Sequence, residues 1–474
     1  MEERVAIPVS LPRDHPTRSF WQLDVDEIAD MRSTDALPTK ADTIIIGSGI
    51  TGAAVAFNLL SQGAKNVVMI EARQACSGAT GRNGGHTKAA SYTTFLHHQH
   101  EHGTEMAAKI ARLELANIRA QHAFAREHNI DCDSNPCLTV DVVYDEKQWG
   151  IAQKAVKALQ DAVPNHDASI YTFHSPEEVV RDFYCGQGGK QGVCGGISYE
   201  AGSMSAYKFT IGVLKLCLEM GLNLQTNTAV ASVDKLDDGG WQVETPRGVI
   251  TAKRVVMATN GYTAHLLKKF QGVIIPLRGH VTAQRPGRRI RKDGLPYTYS
   301  FFYEGGYDYM ISQPKGAKFQ GDIIIGGGLV SAKDGGIGEY GTTDDTSEDE
   351  NIMQGLHETL PQYFGNNWGE DHPDGRIRKQ WTGIMGYGPD GLPFVGEMPN
   401  EKDLWVCASF QGHGMVLCWM CAKALVEMMQ GRDSEELHSW FPDIFRVSEQ
   451  RFNLKFKGRM HTRGDPSASE KQEA

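Results

Sequence analysis

The sequence lacks the features that would place it in several specialised classes of protein. It has no run of about 18 apolar residues, which a membrane-spanning helix needs, and its N-terminus, Met-Glu-Glu-Arg, has no apolar signal segment. Basic residues are not in excess: 48 Lys and Arg against 58 Asp and Glu give a formal charge of −10, so an electrostatic surface for nucleic acid is absent. The C-terminal Lys-Gln-Glu-Ala matches no organelle address. We therefore expect a cytoplasmic protein with neither a nucleic-acid nor a membrane partner.

A disulfide framework is also missing. The nine cysteines are odd in number and unevenly spaced, which is typical of reduced thiols inside a cell. Cys418 and Cys421 have the CxxC spacing, but they fall in the apolar run 415–429, which predicts a buried helix rather than a redox or zinc site. Four histidines cluster at His97, His98, His100 and His102, and two at i and i+4 on one helical turn, such as His98 and His102, can share a metal. No Cys or Asp cluster accompanies them, so we expect no metal site.

A motif for binding a dinucleotide lies near the N-terminus. The apolar run Ile44–Ile46 predicts a buried parallel strand, and Gly47, Gly49 and Gly52 follow it in the spacing GxGxxG at the start of an amphipathic stretch. Gly47 permits the tight turn, Gly49 admits the pyrophosphate, and Gly52 lets the helix pack against the strand. Glu71 ends the next apolar run, 19 residues after Gly52, where a carboxylate accepts hydrogen bonds from a ribose. The motif alone does not separate NAD from FAD.

The length of 474 residues exceeds the size at which a single core keeps growing, so we expect two packed domains. Helical periodicity occurs at 103–128, 149–163 and 207–220, and short alternating segments at 222–251 and 276–332 predict antiparallel strands. Residues 342–351 read as an acidic loop. The predicted fold class is α/β, or α+β overall, with a discontinuous antiparallel-sheet domain beside the nucleotide-binding domain. The predicted boundaries are 1–38 for an N-terminal extension draped over the surface, 39–100, 195–265 and 375–435 for the nucleotide-binding domain, 101–194 and 266–374 for the second domain, and 436–474 for a polar C-terminal tail.

Further motifs follow the first in a fixed order. They are Gly78-Ala-Thr-Gly-Arg82-Asn83-Gly-Gly85, Ala258-Thr-Asn-Gly261, Trp381-Thr-Gly383, Asp390-Gly-Leu-Pro393 and Gly412-His-Gly414. In this order they resemble the D-amino-acid-oxidase (DAO) superfamily over residues 40–435, and the nearest branch looks like the γ-glutamylputrescine-oxidase-type amine oxidases. The resemblance implies FAD as cofactor, a glutathione-reductase-like FAD-binding domain, and a substrate domain built on an antiparallel sheet.

The resemblance also implies an activity. Members of this superfamily oxidise C–N bonds by passing hydride to the flavin, the imine hydrolyses to a carbonyl, and O2 reoxidises the flavin to give hydrogen peroxide. The implied partners are a small amine or amino-acid substrate and O2. Three alternatives stay open: an aromatic hydroxylase, a dehydrogenase of a hydroxy compound that passes electrons to a non-oxygen acceptor, and a flavin-binding protein without turnover. The hydroxylases carry Gly-Asp where Gly412-His413 stands here.

The motifs and the resemblance together predict the cofactor-binding residues. A second helix, opened by glycines at Gly412–Met415, can direct N–H groups to the pyrimidine edge of the flavin, and the Arg82–Asn83 loop suits a phosphate or the ring. The predicted set is Gly47, Gly49, Ile50, Thr51, Gly52, Glu71, Ala72, Arg73, Gly78, Ala79, Thr80, Arg82, Asn83, Gly84, Gly85, Val230, Ala258, Thr259, Gly261, Trp381, Gly383, Gly412, His413, Gly414 and Met415.

Catalytic residues are harder to name, because the flavin performs the redox chemistry itself. The candidates for the substrate pocket are His86, His280, Tyr307, Tyr309 and His413, and an ordinary core role is the alternative for each tyrosine. Three positions depart from relatives in the superfamily. Gly383 stands where a cysteine attaches flavin covalently, and Val416 where a lysine holds a substrate carboxylate. His86 stands where we expect glutamine, which leaves a covalent histidyl link to the flavin open.

Overall fold

The computed structural model of the chain describes residues 1–186, 192–237 and 239–459. The strands within these residues are β1 (Lys40–Ile46), β2 (Val67–Ile70), β3 (His86–Thr87), β4 (Asn135–Val143), β5 (Thr172–His174), β6 (Gly195–Ser203), β7 (Asn223–Gln225), β8 (Ser232–Lys235), β9 (Trp241–Thr245), β10 (Gly248–Met257), β11 (Ile275–Gln284), β12 (Thr298–Tyr303), β13 (Gly306–Ser312), β14 (Ile323–Gly326), β15 (Ile377–Tyr387), β16 (Phe394–Met398) and β17 (Glu401–Ala408). The α-helices are α1 (Glu2–Val5), α2 (Ile50–Ser61), α3 (Ser91–His102), α4 (Thr104–Glu127), α5 (Glu146–Ala162), α6 (Pro176–Asp182), α7 (Ala206–Glu219), α8 (Thr263–Leu266), α9 (Glu350–Phe364), α10 (Gly414–Met429), α11 (Glu435–Trp440) and α12 (Glu449–Phe452).

The first sheet carries the dinucleotide motif. Its strand order is β16–β17–β10–β1–β2–β7, and β1 pairs in parallel with both β10 and β2. Ile44, Ile45 and Ile46 are at most 5 % exposed. A parallel sheet covered by helices buries both faces of its central strand, which is why this segment is a continuous apolar run. Helices α2 and α10 pack on the sheet and on each other. The predicted α/β nucleotide-binding fold is confirmed.

The second sheet is mostly antiparallel, as predicted for the other domain. Its order is β15–β11–β14–β13–β12–β4–β6–β3, with β5 beside β6. Strands β3, β6 and β15 belong to this sheet, although the sequence analysis grouped their residues with the nucleotide-binding domain. Strand character is local, but the choice of sheet depends on side-chain packing with partners far away in the chain, so composition does not reveal it.

Both termini pack more closely than the sequence suggested. Phe20, Trp21 and Ile28 are at most 7 % exposed, and Trp21 Nε1 donates to the carbonyl oxygen of Asn83 at 2.6 Å. The predicted N-terminal extension therefore supports one of the predicted cofactor loops. Near the other end, Phe441 and Phe445 are fully buried. Residues 460–474 of the predicted tail lie outside the described residues, as do 187–191 of the predicted second domain and position 238.

The CxxC pair lies in α10, as expected, with Cys418 and Cys421 at most 3 % exposed. None of the helices in the described ranges combines the length and the apolar character needed to cross a bilayer.

Candidate functional site

The turn between β1 and α2 is built on glycine. Gly47 has φ +106°, and a Cβ there would lie 2.6 Å from the carbonyl oxygen of Ala258, at the end of β10. A Cβ on Gly52 would overlap the carbonyl oxygen of Gly47. The strand, the turn and the helix can therefore approach this closely only without side chains at these positions, which is the role that the sequence analysis assigned to Gly52.

The start of α2 faces the Gly78–Gly85 loop. Gly49 is the N-cap of the helix and offers no side chain to cap it. Thr80 Oγ1 accepts a hydrogen bond from the backbone N–H of Ile50 at 3.1 Å. The first turn of the helix thus lies at a glycine-lined opening, and the positive end of the helix dipole favours a phosphate there. These residues fit the pyrophosphate of a dinucleotide.

Glu71 is positioned for a ribose. Its Oε2 accepts hydrogen bonds from Ser48 N at 3.0 Å and Ser48 Oγ at 2.7 Å, and its Oε1 accepts one from Arg73 N at 3.0 Å. These contacts fix the carboxylate at the end of β2. Oε2 thus uses both of its lone pairs, whereas Oε1 accepts one hydrogen bond and keeps a lone pair for a ribose hydroxyl.

The two predicted cofactor arginines share one buried carboxylate. Arg73 forms a bidentate pair with Asp345 at 3.1 and 2.9 Å, and Arg82 Nε lies 3.7 Å from the same residue. Arg82 also donates to the carbonyl oxygens of Ser77 and Thr382, both at 2.8 Å. Burial lowers the pKa of Arg82 to about 10 in spite of Asp345, so the guanidinium stays charged at neutral pH. The acidic loop of the sequence analysis thus provides the anion that holds both arginines.

The loop that precedes α10 has a strained backbone. Ser409, Gln411 and Gly412 have φ between +56° and +76°. The Gln411 side chain holds the loop by donating to the carbonyl oxygens of Leu392 and Ser409 and by accepting from Gly388 N. Positive φ at non-glycine residues costs free energy and persists only where the surroundings enforce it, and such residues cluster at functional sites.

A cavity of about 340 Å³ is lined by glycines of the β1–α2 turn, Gly47 and Gly49, and by Gly412 and Gly414 at the start of α10. Its lining residues come from both sheets and include every predicted catalytic residue: His86, His280, Tyr307, Tyr309 and His413. All predicted cofactor residues also line it except Gly52, Gly85, Gly261 and Trp381.

These four exceptions pack behind the cavity wall. A Cβ on Gly261 would overlap the Met385 carbonyl oxygen, and a Cβ on Gly85 would lie 2.5 Å from that of Met204. Trp381 is fully buried, and its Nε1 donates to the Arg82 carbonyl oxygen at 2.7 Å. The structure therefore gives them supporting roles.

His86 and Tyr309 form one wall. Their rings stack with centroids 6.4 Å apart, and His86 Nε2 shares a hydrogen bond of 2.7 Å with Thr298 Oγ1. Burial lowers the pKa of His86 well below its ordinary value, and Lys88 adds to the shift. His86 is thus neutral at pH 7.

His413 is the N-cap residue of α10 and faces the same cavity. Burial, with smaller contributions from Lys88 and Arg459, lowers its pKa to about 4. It therefore presents a neutral imidazole to the cavity at pH 7.

His280 is engaged elsewhere. Its Nε2 accepts a hydrogen bond from Asp349 N at 2.9 Å, at the start of α9, and burial lowers its pKa to about 3. Although it borders the cavity, its accepting nitrogen already has a partner, and this geometry favours a positioning role.

Sequence reasoning missed Lys88 and Arg459. Lys88 Nζ lies 3.0 Å from Asp141 Oδ1, and Asp141 Oδ2 accepts from the hydroxyls of Tyr92 and Tyr199 at 2.7 and 2.9 Å. Lys88 lies two residues after His86, a predicted pocket residue, and this position was a clue that Lys88 lines the same pocket. Arg459 reaches the cavity from the segment after α12, and its sequence carries no comparable clue.

The four histidines of the sequence analysis all lie on α3. His98 and His102 stack with ring centroids 6.2 Å apart. Throughout the described part of the chain, no group of three or more His, Cys, Asp or Glu side chains could hold a metal ion.

Comparisons with known proteins agree with this architecture. The family model DAO, described as FAD dependent oxidoreductase, matches residues 42–428. The probable oxidoreductase OrdL of Rhizobium meliloti (strain 1021) is 25% identical over 410 residues, 84% of each protein. The γ-glutamylputrescine oxidoreductase of Escherichia coli (strain K12) is 21% identical, over 90% of this chain and 91% of that protein. The crystal structure of glycine oxidase from Geobacillus kaustophilus shares the fold, with a TM-score of 0.67 at 18% identity over 87% of this chain and 99% of that one.

The family model spans most of the chain, and glycines of the first and last motifs, among them Gly47 and Gly412, line one cavity. The chain therefore belongs to the DAO family of FAD-dependent oxidoreductases.

Proposed function

We propose that this protein oxidises the C–N bond of a small amine or amino acid to an imine, which water converts to a carbonyl, and that O2 accepts the electrons to give hydrogen peroxide. FAD, when bound, supplies the acceptor for the hydride and its two electrons. The names of the relatives support an amine-type substrate: γ-glutamylputrescine oxidoreductase and glycine oxidase.

The observation that carries the proposal is a set of three groups that line the cavity: His86 and Lys88, which lie in or next to β3, and His413 at the start of α10. His86 and His413 are neutral at pH 7, and Lys88 adds a cation that pairs with Asp141, whose other oxygen accepts from two tyrosine hydroxyls. A cationic pocket disfavours an ammonium group and favours the neutral amine. The neutral amine is the form that can release hydride, because its nitrogen lone pair stabilises the cation left behind.

Neutral imidazoles can also receive the proton that an amine loses on entry. A general base must lie within hydrogen-bonding reach of that proton, and its pKa should be near the working pH. The pKa of His413, at about 4, makes it a weak base, and Thr298 already shares the Nε2 of His86. We therefore expect these side chains to orient the amine, while its deprotonation is driven mainly by the cationic surroundings.

The start of α10 complements this arrangement. No side chain caps the helix, so its first N–H groups and positive dipole end are directed at the Gly412–Met415 region of the cavity. This end of the helix stabilises negative charge on a bound ring. The glycine turn of β1–α2 and Glu71 fit the other half of FAD, its pyrophosphate and ribose.

We also propose that the protein is cytoplasmic. All nine cysteines are unpaired in the structure, and seven of them are buried, which supports a reducing compartment.

Matched substrate pairs test the proposed reaction. The FAD-loaded protein is mixed anaerobically with amines and with hydroxy compounds of the same carbon skeleton, and the loss of oxidised-flavin absorbance is followed. Amines should reduce the flavin and their hydroxy counterparts should not. Admission of air should then yield one peroxide per amine consumed. Reduction by the hydroxy compounds alone would refute the proposal.

A further inference from the structure

The N-terminal segment, residues 5–17, forms part of the cavity wall. Leu11 and Pro12 of this segment line the cavity, and both are half-buried. They come well before residue 42, where the match to the family model begins. The segment is therefore a feature of this chain that the family model does not describe, and its attachment to the fold shows what it does.

The side-chain amide of Gln271 holds the segment before it reaches the cavity. Its Oε1 accepts a hydrogen bond from Val9 N at 3.2 Å, and its Nε2 donates to the carbonyl oxygens of Ile7 at 2.9 Å and Val5 at 3.2 Å. These three hydrogen bonds from one side chain fix the backbone up to two residues before Leu11.

The contacts of Val9 show where the segment meets the cavity. His265, which lines the cavity, donates from Nδ1 to the Val9 carbonyl oxygen at 3.1 Å. The Val9 side chain is 4 % exposed and belongs to the same apolar cluster as Ile70 and Val230, two further lining residues. Since Glu71 follows Ile70 directly, the segment shares its core contacts with the end of the cavity that fits a ribose.

A second anchor holds the segment after the lining pair. Arg73 Nη1 donates to the carbonyl oxygen of Arg13 at 3.0 Å, and the backbone N–H of Arg73 donates to Glu71. Further along, Thr17 N donates to the carbonyl oxygen of Asp345 at 2.8 Å. The two lining residues therefore lie between two anchors, and the second anchor is bonded to the turn that carries Glu71.

We propose that residues 9–13 are part of the FAD-binding site, with Leu11 and Pro12 packed on the adenosine half of the cofactor and the anchored segment closing that end of the cavity. Apolar side chains suit the faces of an adenine, because contact with them removes apolar surface from water. Release of FAD then requires the segment to open, so the release rate depends on the anchors as well as on direct contacts.

Two variants separate the anchor from the contact. Gln271→Ala removes the first anchor without altering the cavity, because the described lining does not include Gln271. Leu11→Ala removes the proposed contact and leaves both anchors in place. The matched control is Gln320→Ala: Gln320 also bonds backbone groups through both ends of its amide, the Gly316 N–H at 2.9 Å and the Lys292 carbonyl oxygen at 3.0 Å, and it lies on an exposed turn.

The release rate is measured by diluting each FAD-loaded protein and following the fluorescence of free FAD. Release from Gln271→Ala should be at least about tenfold faster than from the wild type, because the three hydrogen bonds that hold the segment closed are lost. Leu11→Ala should release FAD about 3- to 10-fold faster through lost apolar contact, and Gln320→Ala should match the wild type. Thermal melting verifies each fold, and the half-buried Leu11 keeps the test decisive if Gln271→Ala does not fold.

Amide hydrogen exchange provides a readout that does not depend on any substitution. Addition of FAD to the FAD-free wild type should slow exchange in residues 9–15, because the bound cofactor would hold the segment closed. Exchange in the exposed turn at 316–320 should stay the same.

Three outcomes would overturn the inference: equal release rates in the wild type and both test variants, a Gln320→Ala protein that releases FAD as fast as Gln271→Ala, or exchange in residues 9–15 that FAD does not change. An accelerated release from Gln271→Ala without any change in Leu11→Ala would refute the contact with the adenosine half. These measurements involve no substrate, so their failure would leave the proposed reaction untouched.

Discussion

Gly47→Ala is the substitution whose effect the structure determines most closely. The new Cβ would lie 2.6 Å from the carbonyl oxygen of Ala258 and 3.1 Å from its carbonyl carbon. Since non-bonded carbon and oxygen atoms stay at least about 3.3 Å apart, the turn and the end of β10 must separate by about 0.7 Å. The residue must also keep φ +106°, which L-residues rarely adopt.

The two penalties can be estimated separately. A left-handed backbone costs a residue with a Cβ about 1–2 kcal/mol, and overpacking costs about 1–3 kcal/mol, so the folded state should lose about 2–5 kcal/mol. Unfolding entropy is about 2.1 cal/mol/K per residue, or about 1 kcal/mol/K for this chain. The melting temperature of the FAD-free protein should therefore fall by about 2–5 °C. Displacement of the N–H groups that face the phosphates should weaken FAD binding by at least about tenfold.

Gly78→Ala is the matched control. Gly78 also lines the cavity, but its φ is −81° and a Cβ there would meet no atom within 4 Å. Melting followed by circular dichroism and FAD titration followed by fluorescence quenching compare the two variants. A Gly47→Ala protein that melts and binds FAD like Gly78→Ala would refute the reasoning.

Three further predictions concern charged groups. Asp345→Asn should weaken FAD binding by about tenfold in titrations, because the two arginines it holds become free to move, whereas a change below about twofold would contradict this role. Lys88→Met should raise the apparent pKa of the amine in the pH profile of flavin reduction, because the cation that disfavours ammonium is gone; an unchanged profile would count against the role of Lys88. The pKa of His122 is lowered to about 4 by burial, so between about pH 6.5 and 4 the unfolded chain binds a proton that the folded chain does not. Acidification from pH 7 to 5 should therefore destabilise the FAD-free wild type by about 1–2 kcal/mol more than His122→Gln in urea unfolding, and parallel pH curves would exclude the effect.

The parts of the site that the sequence predicts depend on local backbone geometry. The spacing of Gly47, Gly49 and Gly52 requires a strand, a turn and a helix in direct succession, and the structure shows β1 and α2 in these places. Gly221, predicted to end the helix at 207–220, has φ +97° immediately after α7 and its C-cap residue. The sequence reveals such positions because the steric constraint on each of them involves only a few neighbouring residues.

The parts that the sequence did not reveal depend on contacts between distant segments. Asp345 lies in a stretch that the sequence predicts only as an acidic loop, and its side chain is 1 % exposed between two arginines. The side chain of Lys88 is held by an ion pair with Asp141, and that of Arg459 by a hydrogen bond to Tyr387, which lies 72 residues earlier in the chain. A charged residue in a single sequence shows no sign of its eventual partner, and partners of this kind decide which substrates a pocket accepts.

A crystal structure of the FAD-loaded protein tests the central claim most directly. We expect the ribose of the adenosine half on Glu71, the pyrophosphate at the start of α2, and the isoalloxazine ring between His86 and the Gly412–Met415 turn. FAD bound outside this cavity, or bound with its ring at the Glu71 end, would contradict it.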